Sequence, residues 1–199
     1  MDKKIIEHFR KFDPILYAVI EKVGLFGPTK TDDYFSDLCE CIVNQQLSDK
    51  AAATIFARFK KLFPGEKINP KSLLKLSDAQ IRSCGTSNAK VGFLKDLAKK
   101  VLDCTLNLEK LNDLANHLVV EEVTKVKGIG PWTAEMFLMF TLGREDVFSH
   151  DDLGLRNAIK KLYKFRKDPS KKQIEKIINK WKPYSTYACR ILWKSLELD

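Results

Sequence analysis

Residues 126–135 read VKGIGPWTAE. Gly128 and Gly130 stand between a β-branched run (Val119, Val120, Val123) and a helical continuation, TAEMFLMF, in a chain with only 9 glycines among 199 residues. With no Cβ in the way, a Gly-x-Gly turn lets backbone N–H groups converge outward. The helix opened by Pro131 adds its own unsatisfied N–H groups and the positive end of its dipole. Together these make a place for a phosphate. Contacts of this kind position a nucleic-acid backbone and read no sequence. A glycine pair by itself also fits a plainer role, a tight helical corner where glycine permits close packing, and spacing alone favours that role.

Few other residues have types and spacing that could do chemistry. Asp151 and Asp152 precede LGLRNAIKKLY and read as N-caps for that helix. The five cysteines (Cys39, Cys41, Cys84, Cys104, Cys189) show no C-x-x-C spacing, so neither a zinc site nor an iron–sulfur ligand run is written here. They read as reduced, mostly buried thiols. Lys plus Arg outnumber Asp plus Glu by 35 to 26, a formal net charge of +9. That excess favours a polyanionic partner without naming one.

The elements that must hold these residues are nearly all helical. Asp13-Pro14 pairs an N-cap with a proline at the first helical position, and Gly24 stops that helix after Ile15, Leu16, Val19, Ile20 and Val23. LFGPTKT (25–31) is a loop, and a second helix carries Tyr34, Phe35, Leu38, Ile42 and Val43 on one stripe. Ser48, Ser77, Ser87 and Ser170 each stand ahead of a helical run as caps. A helix is expected from Pro131 to Leu142, and Pro183 separates the last two helices. No alternating run competes, so the fold class is all-α, about ten short helices with tight capped turns. No apolar run is long enough to span a membrane, and MDKKIIEHFRKFD is too polar for a signal peptide, so an intracellular protein is expected.

Four blocks, in order, carry a family resemblance. VKGIGPWTAEMFLMF (126–140) resembles the helix-hairpin-helix of the DNA glycosylase superfamily whose hairpin is followed by a Gly/Pro-rich loop and an aspartate; here VFSHDDLGLRNAI (147–159) places Asp152 at that position. WKPYSTYACRILW (181–193) resembles the closing pattern of the 3-methyladenine DNA glycosylase II, or alkylpurine, branch. CIVNQQLSDKAA (41–52) is similar to that branch's strand-insertion segment, and CGTSNAKVGFLKDLA (84–98) to its Gly-x-Ser-x-x-Lys segment. The likeness spans most of residues 34–196, without the N-terminal β-rich domain of some relatives.

The resemblance implies a fold of two helical lobes with the active site in the cleft between them. Lobe one would cover about 31–146, with the hairpin at 123–142, and lobe two residues 1–30 packed with 147–199. It implies a monofunctional glycosylase that flips alkylated purines (3-methyladenine, and 7-methylguanine) out of duplex DNA and hydrolyses their N-glycosidic bond. The protein would act as a monomer, in a bacterial-type cytoplasm or a nucleus, with no membrane and no organic cofactor. Asp152 would stabilise the positive charge that develops on the sugar and orient or deprotonate a water; Asp151 is left as a cap or a DNA-side neighbour. Trp132 stands where bifunctional relatives keep a lysine nucleophile, which implies base removal without strand cleavage. Trp132 and Trp193 would wall the base pocket, stacking on a cationic purine, although as tryptophans alone they read as core. Gln45, Gln46 and Leu47 would fill the hole left by the flipped nucleotide, with Gln46 and Leu47 both open as the wedge. Lys127, Gly128, Gly130 and Thr133 would meet the DNA backbone. The carbonyls of Thr124, Val126 and Ile129 would hold a structural Na+ or K+. His150 replaces a proline common in the branch and is either a phosphate contact or a packing residue. Two other readings stay open: a non-enzymatic helix-hairpin-helix DNA-binding module, and a glycosylase for mismatched or oxidised bases.

Overall fold

Apolar residues recur at helical spacing from one end of the chain to the other, and each run ends at a cap, a proline or a glycine. A computed structural model describes residues 2–198. Among them twelve α-helices form: α1 (Asp2–Phe12), α2 (Pro14–Val23), α3 (Tyr34–Asn44), α4 (Asp49–Lys60), α5 (Pro70–Lys75), α6 (Asp78–Arg82), α7 (Asn88–Leu102), α8 (Asn116–Val123), α9 (Pro131–Phe140), α10 (Leu153–Leu162), α11 (Lys171–Trp181) and α12 (Ser185–Ser195). Short 3-10 segments lie at Pro64–Glu66 and Leu108–Asp113. No strand is present among the described residues, only an isolated bridge between Lys30 and Leu142.

The caps follow the side chains that sequence offers. Asp13 accepts from the Leu16 amide at 3.2 Å, and Ser77 and Ser170 form reciprocal capping boxes with Gln80 and Gln173. Ser48 sits at the N-cap position of α4, yet its side chain makes no cap bond. Asp152, rather than Asp151, caps α10.

The chain divides into two compact units. In residues 31–137, α3, α4, α5, α6 and α7 pack around Leu38, Ile42, Phe59, Leu73, Leu94 and Leu97, all fully buried. In residues 1–30 with 138–199, α1, α2, α10, α11 and α12 enclose Phe9, Leu16, Leu155, Ile159 and Trp181. Each such side chain contributes about 1.5–3 kcal/mol by leaving water. The Asp13 carboxylate, 1% exposed, also ties this second unit together: its Oδ2 accepts from Trp181 Nε1 at 2.8 Å and from the Tyr163 hydroxyl at 2.5 Å. The division after Phe137 comes earlier than the 146 suggested by sequence, because the last turn of α9 is bonded to the loop before α3. Thr29 donates its amide to Met139 O at 3.2 Å and its hydroxyl to Phe140 O at 2.6 Å.

All five thiols are free. Cys39, Cys84 and Cys189 are buried and Cys41 half-buried, while Cys104 is exposed in a left-handed turn (φ 62°) after α7. Burial pushes the Cys39 and Cys41 thiols up, Cys41 to about 12. Among the described residues no helix is long and apolar enough to cross a membrane.

Candidate functional site

The hairpin after α8 is anchored from below by apolar side chains. Val119, Val123, Val126 and Ile129 are buried, and the turn closes through Val126 N to Val123 O and Ile129 N to Val126 O, both 3.1 Å. The Lys127 amide donates to Asp96 Oδ2 at 2.8 Å. Gly128 adopts φ +82°, and a Cβ there would fall 2.1 Å from the Phe93 ring. The first glycine therefore serves close packing. Gly130 differs, since a Cβ there would meet nothing within 4 Å. Packing does not demand glycine at 130; its effect is to keep the outer face of the turn low.

Outside this turn lie Lys127 and Trp132, the latter 45% exposed, and the open N-terminus of α9. No hydrogen bond among the described residues engages the Gly128 or Gly130 amide. Amides without such a partner, beside a helix N-terminus and a lysine, are groups of the kind that bind anions. Thr133, 5% exposed, lies beneath this face and lines the same groove as Gly128 and Trp132. The carbonyls of Thr124, Val126 and Ile129 belong to the same turn. After accepting the Ile129 amide, Val126 O keeps a second lone pair, and an all-carbonyl donor set suits a hard cation. No cluster of His, Cys, Asp or Glu able to hold a metal occurs among the described residues.

The Gln45–Leu47 loop follows α3 and abuts the hairpin. Gln45 Nε2 donates to Gly128 O at 2.7 Å. Gln46 takes the left-handed conformation (φ 56°) and is exposed, whereas Leu47 is half-buried. An open groove of about 350 Å³ is lined by Gln45, Gln46, Phe93, Gly128, Trp132 and Thr133, so the unit 31–137 brings the Gln45–Leu47 loop, the glycine turn and one tryptophan onto one surface.

In the other unit, Asp152 and Trp193 are brought together. Asp152, 9% exposed, accepts the Leu155 amide on Oδ1 at 2.7 Å and the Trp193 indole N–H on the same oxygen at 3.0 Å. The Trp193 ring lies 6.0 Å from Phe140, tilted by 32°. A Cβ on Gly154 would come 3.1 Å from Asp152 Oδ1 and 3.3 Å from the indole, so glycine at the second position of α10 leaves room for this pair. Sequence reasoning passed over Gly154; a glycine in a first helical turn, where Ala is preferred, was the available signal. Capping and chemistry are compatible in Asp152, because the cap bond fixes one oxygen of a carboxylate whose charge remains. Asp151 is exposed. His150 is exposed too, 3.2 Å from Glu175 and edge-on to Phe148, so it joins a surface pair rather than filling the interior.

With this geometry in place, comparison with known proteins decides the family. Residues 39–183 match the model of the HhH-GPD superfamily base excision DNA repair protein. The chain belongs to this superfamily. DNA-3-methyladenine glycosylase 1 of Schizosaccharomyces pombe is 32% identical over 196 residues, covering 96% of this chain and 86% of that protein. The solved structure of the S. pombe 3-methyladenine DNA glycosylase in complex with abasic DNA superposes with a TM-score of 0.88 at 32% identity, covering 98% and 97% of the two chains. A DNA-3-methyladenine glycosidase from Bacillus halodurans gives 0.85 at 37%, covering 98% and 89%. The all-helical architecture described above is the HhH-GPD glycosylase fold, and the matched span takes in the Gln45–Leu47 loop, the hairpin and Asp152.

Proposed function

We propose that this HhH-GPD protein is a monofunctional DNA glycosylase that excises alkylated purines, 3-methyladenine and 7-methylguanine, from duplex DNA. The observation that carries the chemistry is the Asp152 carboxylate, held at the start of α10 by the Leu155 amide and the Trp193 indole. Breaking the N-glycosidic bond leaves positive charge on the sugar and an electron pair on the departing base. A fixed carboxylate near C1′ lowers the energy of that state, and it orients or deprotonates the water that completes hydrolysis. The products are a free base and an abasic site. Trp132 provides a stacking face for the electron-poor purine and carries no amine, so the carbon that loses the base gains no covalent enzyme adduct.

Lys127 and the amides of Gly128 and Gly130 grip phosphate, and the Gln45–Leu47 loop occupies the gap in the stack, Gln46 being the more exposed wedge. A bound Na+ or K+ on the Thr124, Val126 and Ile129 carbonyls would stiffen that turn. The enzyme acts as a monomer on duplex DNA. The test is incubation with methylated duplex DNA and chromatography of the released base. Free 3-methyladenine, strand breaks only after hot alkali, and no adduct trapped by borohydride are expected. Binding without base release would reduce the protein to a DNA-binding module, and release of oxidised or mismatched bases alone would change its substrate class.

A further inference from the structure

Resting on the glycosylase reading, we infer that α7 is the element that sets the insertion loop in register with the phosphate-gripping hairpin, with Lys90 and Asp96 as its two positioning residues. Lys90 lies in the first turn of α7, where a cation opposes that helix's own dipole. Local helix energetics therefore disfavour it. Its ammonium instead donates to Val43 O at 2.8 Å and Gln45 O at 2.7 Å. Those carbonyls end α3 and begin the loop, so the charge lies on the negative end of α3, where it is favourable, and pins the backbone on both sides of Asn44. Burial lowers the Lys90 pKa, as for an ammonium partly removed from water.

Two turns further along, Asp96 performs the matching task for the hairpin. Its Oδ2 takes the Lys127 amide at 2.8 Å, while Lys100 grips the same carboxylate at 2.8 and 2.9 Å. Phe93, midway between Lys90 and Asp96, is the ring on which Gly128 rests. Residues 90, 93 and 96 follow an i, i+3, i+6 course and so share one side of the helix. The Gln45 side chain closes the circuit by donating to Gly128 O at 2.7 Å. Loop, helix and hairpin thus form a ring of long-range contacts through Lys90, Phe93, Asp96 and Gln45.

A wedge can replace a flipped base only if the loop carrying it does not recoil when the duplex tries to close. Gln46 sits at positive φ, a conformation that non-glycine residues keep only when their surroundings impose it. Lys90 and Gln45 impose it here. Once the hairpin has gripped a phosphate, the ring hands that position to Gln46 without a further search. The consequence is selective: losing the ring should hurt extrusion of a well-paired base far more than the later chemical step.

Lys90→Met and Phe93→Ala test this in the full chain, by single-turnover release of 3-methyladenine from two duplexes. One has the lesion fully paired; the other has it opposite an abasic site, where extrusion meets least resistance. Expected for both variants is a loss of at least about tenfold on the paired substrate and under about threefold on the unpaired one, since pairing and stacking supply the resistance that the wedge opposes. Affinity for undamaged duplex should stay within about twofold, because the hairpin's phosphate contacts remain. Equal losses on both substrates, or no loss on either, would overturn the inference. If Lys90→Met melts early, Phe93→Ala, which leaves no charge unpaired, decides alone. Wild-type protein that releases no base from either duplex would instead refute the glycosylase reading on which this rests.

Discussion

Replacing Asp152 by asparagine and by alanine separates its two roles. Asparagine keeps an Oδ1 acceptor for the Leu155 amide and the Trp193 indole, now at 2.7 and 3.0 Å, and it is as good an N-cap as aspartate. Only the negative charge goes. Asp152→Asn should therefore melt within about 2 °C of wild type, given that about 1 kcal/mol moves the melting point of a chain this size by roughly 2–4 °C. Base release should fall at least about a hundredfold, the typical effect of deleting one preorganised electrostatic partner of a transition state, worth about 3–4 kcal/mol. Alanine removes the acceptor as well. The lost cap costs about 0.5–2 kcal/mol, and the indole N–H left unpaired costs about 1–3 kcal/mol more. Asp152→Ala should accordingly melt at least about 3 °C lower while being no worse than asparagine in release. The assays are single-turnover base release and calorimetry on the same preparations. Undiminished release by Asp152→Asn would leave Asp152 as a cap alone. Equal melting of the two variants would mean that the hydrogen bonds at 2.7 and 3.0 Å do not hold the carboxylate.

Four further outcomes are expected. Trp132→Ala should reduce excision by about 1–3 kcal/mol in barrier while leaving undamaged-duplex affinity and melting unchanged, as befits a 45% exposed ring; equal loss of binding would put the base elsewhere. Lys127→Ala should weaken binding to all duplexes alike and lower the slope of log K against log salt by about one unit; a loss confined to lesion-bearing DNA would contradict the phosphate contact. Gly154→Ala should displace the Asp152 carboxylate, whose Oδ1 would sit 3.1 Å from the new Cβ, and slow excision with little effect on DNA affinity, read as kcat against Kd. Burial pushes the Asp96 carboxyl up, but hydrogen bonds from Lys100 and the Lys127 amide outweigh it and hold it below its ordinary value. Its folded pKa being depressed, its stabilisation is present above the ordinary carboxylate value of about 4 and is lost as pH falls below it. Thermal melting of Asp96→Asn should therefore depend less steeply on pH below about 4 than that of wild type.

What sequence revealed and what it hid divide by distance along the chain. Caps are short-range: Ser77 with Gln80 and Ser170 with Gln173 lie three residues apart, so their bonds are written in the local string. The glycine turn, Pro131 and Trp132 are likewise contiguous, and the all-α class follows from periodicity alone. The polar segment 2–12 forms α1 as well, its only buried residues, Ile5 and Phe9, standing four apart, too sparse a pattern to stand out in the string. The contacts that give the site its geometry are different. Asp96 meets Lys127 across 31 residues, Trp193 meets Asp152 across 41, and Lys90 meets Val43 across 47. No periodicity encodes such pairings. A single sequence offers at most a local oddity, such as a lysine where a helix dipole resists one or a glycine where alanine would serve.

The placement of the thiols has a practical consequence for watching this protein at work. Three cysteines are buried, a fourth is half-buried with its thiol pushed up to about 12, and Cys104 is exposed. A thiol-reactive fluorophore should therefore couple to the native chain at Cys104, with no engineered substitution. Cys104 follows the C-terminal end of α7, whose 15 residues span about 21 Å from the end that bears Lys90. A dye there would sit at the far end of the helix whose Lys90 and Asp96 bond the Gln45–Leu47 loop and the hairpin. Scanning along DNA, pausing at damage and departure after excision could then be followed one molecule at a time, on an enzyme whose working surface is untouched.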